Sequence, residues 1–210
     1  IGIYIGICYT WGDAYFANED ARWGYNFNEA GHRLGFRDGD RFVSIDGEPV
    51  DDIAGALNAL LITEGGRKVV VERGGEEMTL DLTLEELIAM RQQKGYEGLF
   101  TLRVPFLIDS CASAAAVAAL RPGDEIVGID DLQGLDYPAY RTYLGTRGGD
   151  SVRLDVLRGG ERMSMVLPVS EEGKIGVIAR NPYSYRTRNY TFAEAIPAGI
   201  RKTGDVLASY

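Results

Sequence analysis

Gly35-Phe36-Arg37-Asp38-Gly39-Asp40-Arg41-Phe42-Val43-Ser44-Ile45-Asp46 returns 84 residues later as Ala119-Leu120-Arg121-Pro122-Gly123-Asp124-Glu125-Ile126-Val127-Gly128-Ile129-Asp130. Further on, Val69-Val70-Val71-Glu72-Arg73-Gly74-Gly75-Glu76-Glu77-Met78 recurs at an offset of 85 as Leu154-Asp155-Val156-Leu157-Arg158-Gly159-Gly160-Glu161-Arg162-Met163, so one net residue is inserted between the matching blocks. Self-similarity at a fixed long period means that one structural unit is built twice. In each copy the Gly-Asp turn opens a strand: Phe42 and Ser44, or Ile126 and Gly128, point one way, and Val43 and Ile45, or Val127 and Ile129, the other. The Arg-Gly-Gly-Glu segments lie between apolar-alternating runs, and paired glycines supply the positive φ of a tight hairpin. Two small β-rich modules follow.

With 210 residues there is room for two domains of about 80 to 100 residues, each with its own core. The net charge of -9 and the lack of any Lys- or Arg-rich stretch argue against nucleic-acid binding. Cys8 and Cys111 are far apart in sequence and make no disulfide framework, so both read as small apolar residues. His32, the single histidine, has no Cys or acidic cluster at metal-ligand spacing and reads as a solvated or turn-packed imidazole. There is no His-Glu-x-x-His, no Gly-x-Ser-x-Gly and no phosphate-cradling glycine loop, so the chain offers no catalytic residue and no metal ligand.

In chain order, Ile1 to Trp11 is an uncharged run too short to span a bilayer, which takes about 20 apolar residues. It reads either as a buried strand or as the end of a membrane segment, with Tyr9 and Trp11 before Asp13 resembling an interfacial belt. Residues 1–22 are thus expected to be a membrane-proximal tail and tether, acidic and irregular from Asp13 to Arg22. Residues 23–83 are the first module, opening on a strand with Trp23, Tyr25 and Phe27 on one face. Asp51 or Asp52 caps a helix carrying Ile53, Leu57, Leu60 and Leu61. Residues 84–95 read as a charged helical linker buried along Leu87 and Met90. Residues 96–180 are the second module, with a strand from Thr101 to Ile108 and a helix begun by Asp136. In 181–210, Thr191 and Glu194 have capping-box spacing, and Phe192, Ala195, Ile196, Gly199, Ile200 and Thr203 make a stripe at helical spacing.

The Ala-rich Ser113–Ala119, the Leu120-Arg121-Pro122-Gly123-Asp124 turn and the strand ending Arg158-Gly159-Gly160 resemble, in order and spacing, the bacterial, circularly permuted PDZ domains; Asn28–Asp40 resembles the same motif more loosely. The resemblance implies a mostly β fold with short helices (α+β), as two PDZ-like domains in tandem. In that family an aromatic-x-Gly-apolar loop offers backbone amides to a peptide carboxylate, and the strand after it pairs with the peptide. Carried over, this makes Gly98, Leu99, Phe100, Thr101, Leu102 and Arg103 the peptide-binding edge of the second module, with Tyr140 and Leu144 on the opposite helix, facing groove or core. The alternative is that Gly98 is only a turn and the strand is covered by neighbours. Leu34-Gly35-Phe36 imitates the loop signature, but the repeat aligns it with Ala118-Ala119-Leu120, the turn before Gly-Asp. The first module's own loop would precede Trp23, where Asn18-Glu19-Asp20 would repel a carboxylate.

With its apolar start and its Phe192–Thr203 segment, the chain is similar to the extracytoplasmic tandem PDZ region of RseP-type site-2 proteases. That similarity implies a region without catalytic residues of its own, in a parent that is an integral membrane zinc metalloendopeptidase; zinc belongs to the parent alone. It further implies a periplasmic location, flanks that enter the membrane, and a trimmed transmembrane protein as the partner to be screened in regulated intramembrane proteolysis of anti-sigma-factor-like substrates. The competing class is a non-catalytic PDZ binding module of a secreted protease or secretion scaffold. His-Glu-x-x-His in an apolar segment upstream of Ile1 would separate the two.

Overall fold

The computed structural model describes residues 10, 12–198 and 200; the expected membrane segment at Ile1–Trp11 therefore lies, apart from Thr10, outside the described residues, as do Cys8, Gly199 and Thr203. In chain order the elements are β1 (Asp13–Tyr15), β2 (Tyr25–Phe27), α1 (Glu29–Arg33), β3 (Arg41–Ile45), β4 (Glu48–Pro49), α2 (Ile53–Leu61), β5 (Arg67–Arg73), β6 (Glu76–Leu82), α3 (Leu84–Gln92) and β7 (Phe100–Leu102). They continue as β8 (Phe106–Cys111), α4 (Ala114–Ala119), β9 (Glu125–Ile129), β10 (Leu132–Gln133), α5 (Tyr137–Gly145), β11 (Ser151–Arg158), β12 (Glu161–Pro168), β13 (Val177–Arg180), β14 (Arg186–Arg188) and a last helix, α6, over 192–198. The fold is mostly β with short helices, and the order strand, short helix, strand, helix, hairpin, strand occurs twice, as a PDZ-like α+β fold requires.

Both repeated aspartates have the same task in each copy. Asp40 and Asp124, fully buried, accept the amides of Arg37 and Arg121 at 2.9 and 2.8 Å, closing the Gly-Asp turn. Asp46 and Asp130 stand at φ 52 and 54, left-handed values that Asp tolerates better than most residues, and accept the amides of Lys68 and Arg153, each at 2.8 Å. Each thereby ties the end of one strand to the next strand of its sheet. The glycine pairs 74–75 and 159–160 all have positive φ and turn the hairpins, with Arg73 opposite Glu76 and Arg158 opposite Glu161.

The chain divides into two compact units that do not coincide with the repeats: residues up to Arg22, Phe42–Glu97 and from Ser184 on form one, and Trp23–Arg41 with Gly98–Tyr183 the other. In the first unit the sheet order is β4-β3-β5-β6. Asp52 caps α2 through Gly55, and Arg67 bonds the carbonyls of Ala59 and Ile62 at its far end. Thr83 and Glu86 form a capping box on α3, which buries Leu87 and Met90 as the sequence predicts. Residues 13–22 are not the expected irregular tether. β1 pairs with β14, Asp13 opposite Arg188, and Phe16, Ala17, Asn18 and Ala21 are buried, the Asn18 side-chain amide donating to Phe42 O at 2.8 Å. The anticipated repulsion at Glu19 and Asp20 is answered by Arg186, which pairs with both. α6 turns Ala195 and Ala198 inward and leaves Phe192, Ile196 and Ile200 exposed.

The second unit is built on the sheet β12-β11-β9-β8-β13, with β10 paired to β9, over a core that includes Phe106, Ile108, Ile126, Ile129, Leu154 and Leu167. The continuous strand predicted from Thr101 to Ile108 is broken into β7 and β8. Pro105 has no amide to donate, and Val104 turns its carbonyl to Tyr137 N at 2.8 Å. Trp23–Arg41 joins this unit because β2 pairs with β7, Arg103 N donates to Gly24 O, and the Trp23 indole N–H donates to Glu125.

Candidate functional site

Gly98 has φ 60, and nothing lies near the position of an added Cβ. Leu99 and Phe100 are buried; the Phe100 ring meets Tyr25 edge-on at 5.6 Å and lies 6.0 Å from Phe27. Thr101 and Leu102 are opposite Asn26 and Tyr25, and Arg103 accepts the Tyr183 hydroxyl on its carbonyl. Tyr140 and Leu144 are elsewhere. Both lie in the second core, which includes none of residues 98–103, and the Tyr140 hydroxyl donates to Val127 O at 2.7 Å. Of the eight expected groove residues, the six of β7 and its flanks, 98–103, therefore sit together, while the two on the helix face the core.

The repeat explains this separation. Tyr25 exchanges bonds with the Gly39-Asp40 turn, and Ile108 exchanges the same two with Gly123-Asp124. Strand β2 is thus the counterpart of β8, and β7, which pairs with β2, is the counterpart of β13, which pairs with β8. Gly98-Leu99-Phe100 closes the first repeat rather than opening the second. The second repeat's own glycine-apolar strand is Gly176-Val177-Ile178. The signal was in the sequence: each of the two segments follows an Arg-Gly-Gly hairpin.

Around β13 the unit has the parts of a peptide groove. β13 ends its sheet, with β8 on one edge and, among the described residues, no strand on the other. Val177 and Ala179 pack on the core, while Ile178 and Arg180 are exposed. The loop before it is pinned at both ends. Gly173, at φ 74, approaches α5 so closely that a Cβ would lie 2.6 Å from Gly145 Cα, and the Gly176 carbonyl accepts the amides of Ala112 and Ser113. These bonds, with those of Gly173 N to Ser170 O and Lys174 N to the Ser170 hydroxyl, leave the amides of Ile175 and Gly176 out of the loop's scaffolding. The ends of helix α5 lie near the two ends of β13: its C-terminal end meets Gly173, while Tyr137 at its start packs on Phe106 at 4.8 Å, beside the Leu107 that pairs with Arg180.

A half-buried polar knot lies in the same unit. Burial pushes the Tyr183 hydroxyl up to about 12, and burial raises Glu125 against the opposing bond from Trp23. Trp23 and Tyr183 meet edge to face at 6.0 Å. His32 Nε2 lies 3.1 Å from Asp38 Oδ1, and among the described residues no three His, Cys, Asp or Glu side chains gather as a metal requires. The residues described here do not fit a zinc ion.

No protein-family model matches the chain. Over 108 residues it is 32% identical to the Agrobacterium fabrum protein named "Putative zinc metalloprotease Atu1380", an alignment covering 45% of this chain and 29% of that protein. The chain thus spans under a third of that relative's length. Among solved structures, the PDZ domain of an SdrC-like protein from Listeria monocytogenes aligns at 18% identity and a TM-score of 0.34, over 38% of this chain and 90% of that one. An HtrA-type protease, AlgW S227A with a decapeptide, aligns at 15% identity and a TM-score of 0.24, over 75% and 54%. Overlays this loose do not bear on the fold, which rests on the strand order and on the bonds the two repeats share.

Proposed function

We propose that the chain is the substrate-screening, peptide-recognising tandem PDZ region of a membrane zinc metalloprotease that cuts transmembrane segments, acting on the extracytoplasmic side of a bacterial membrane. The open β13 edge beside α5, led in by a pinned glycine loop, carries this reading, since an extended peptide adds to such an edge through its main chain. The partial similarity to a protein named as a zinc metalloprotease supports the choice of parent. The β1–β14 pairing supports it as well, because it brings the inner ends of the two flanks side by side. Zinc and the reacting groups belong to other parts of the parent; this region selects substrates whose outer domain has been removed.

The test uses the whole parent in its membrane, with one model substrate supplied intact and trimmed. The proposal expects only the trimmed form to be cut, and the intact form to become cleavable when residues 23–180 are deleted. Equal cleavage of both forms by the undeleted parent would contradict it.

A further inference from the structure

We infer that the groove of the second repeat selects C-terminal segments carrying an Asp or Glu one to three residues before the terminus, read by Arg141 and Arg180; this rests on the peptide-recognition reading above. Three other arginines of the unit are engaged: Arg147 with Asp150, Arg153 with Asp131 and Arg158 with Asp124. Arg141 and Arg180 are exposed, and among the described residues neither makes an ion pair.

Their positions follow from the antiparallel run of helix and strand. A peptide whose terminal carboxylate takes the amides of Ile175 and Gly176 pairs its last residue beside Val177, and each earlier residue lies about 3.3 Å further along β13. The chain positions just before the terminus then pass between Arg180, at the far end of β13, and Arg141, one turn beyond Tyr137 on α5. A guanidinium binds a carboxylate in a two-pronged geometry that an ammonium cannot copy, and it repels Lys or Arg in the same place.

Of the nearby acids, Glu172 is paired with Lys174, the Asp136 carboxylate is turned to Asn26 and the amide of Ala139, and Glu171 lies against Gly149. Asp109, left unpaired where the β8–β13 register shifts, is on the far side of β13 from the open edge. That is two strand spacings from a bound peptide, roughly 10 Å, and charges are screened over about 8 Å at physiological salt. The same screening confines the effect of the overall charge of -9.

The experiment is fluorescence anisotropy on the whole 210-residue chain, with three labelled octapeptides that share one apolar C-terminal residue and carry Glu, Gln or Lys at the two positions before it. The Glu peptide is expected to bind about tenfold more tightly than the Lys peptide, with Gln between, the scale of one charge-assisted contact. The spread should collapse in the double variant Arg141→Gln, Arg180→Gln and at 0.5 M salt (~0.5 M gives a screening length of only a few Å). Equal binding of all three peptides overturns the selection and leaves the groove standing. A folded chain that binds none of them overturns the groove reading and the selection with it.

Discussion

Asp124 is 1% exposed and holds two elements at once: its carboxylate takes both prongs of Arg158 at 2.7 Å and the amide of Arg121 at 2.8 Å. Burial alone would raise this carboxyl; the bonds from Arg158 and Arg121 outweigh burial and hold it below the ordinary carboxylate range. A group whose pKa is lower in the folded state adds stability above its unfolded value of about 3.9, and that contribution is lost as the pH falls through and below that range. Arg158→Met is therefore expected to cost about 3 kcal/mol at pH 7, because it strands a buried carboxylate, and much less at pH 3. Urea denaturation at the two pH values checks this; an equal cost at both would contradict it. The Gly-Asp turn was legible as a turn from its residues. That Asp124 clasps the Arg of the Arg-Gly-Gly hairpin was not, since nothing local links residues 34 positions apart.

At the scale of elements, the pairing of β13 with β8 and of β7 with β2 decides which strand is the proposed peptide edge. Gly173→Ala would place a Cβ 2.6 Å from Gly145 Cα at a left-handed φ, so the loop must lift off α5. It should abolish peptide binding while the strands of the second core, to which the loop adds only Ile175, stay folded. Gly98→Ala meets open space and carries only the left-handed cost, about 1 to 2 kcal/mol, so peptide affinity should stay within about twofold. Calorimetric titration of both variants checks the pair; loss of binding in Gly98→Ala alone would return the groove to β7. Hydrophobic alternation located β3, β5, β9 and β11: burial keeps a period of two in β5 and β11, whereas β3 buries Phe42 and Ile45, three apart, and β9 buries both Gly128 and Ile129 where its register with β11 shifts. It merged β7 with β8, since Val104-Pro105 continues the apolar pattern while Pro105 breaks the hydrogen-bond ladder. The resemblance set Tyr140 and Leu144 on a helix opposite that strand, facing groove or core; they face the core, and helical spacing says only which residues share a face and not which partner that face meets.

At the scale of the molecule, the repeat made the two-module architecture readable, and the actual grouping departs from it where contacts distant in sequence dominate. Trp23–Arg41 belongs to the first repeat by motif and packs with Gly98–Tyr183, while residues 13–22 are built into the other unit. Deleting residues 1–22 removes Phe16, Ala17, Ala21 and the Asn18–Phe42 bond, a loss on the order of 5 kcal/mol, comparable to the whole stability of a small domain. Thermal denaturation should then lose the transition of that unit and keep the other; two intact transitions would show residues 13–22 to be the tether that their acidic, irregular sequence suggests. The claim that this region recognises trimmed substrates by their new ends is tested most directly by NMR titration of the isotope-labelled chain with one apolar-ended peptide, as free acid and as C-terminal amide. The account predicts shifts concentrated at Ile175–Arg180 and along Tyr137–Gly145, with the amide binding roughly tenfold more weakly for want of the carboxylate contact. Shifts centred on Gly98–Arg103, or equal binding of acid and amide, would contradict it.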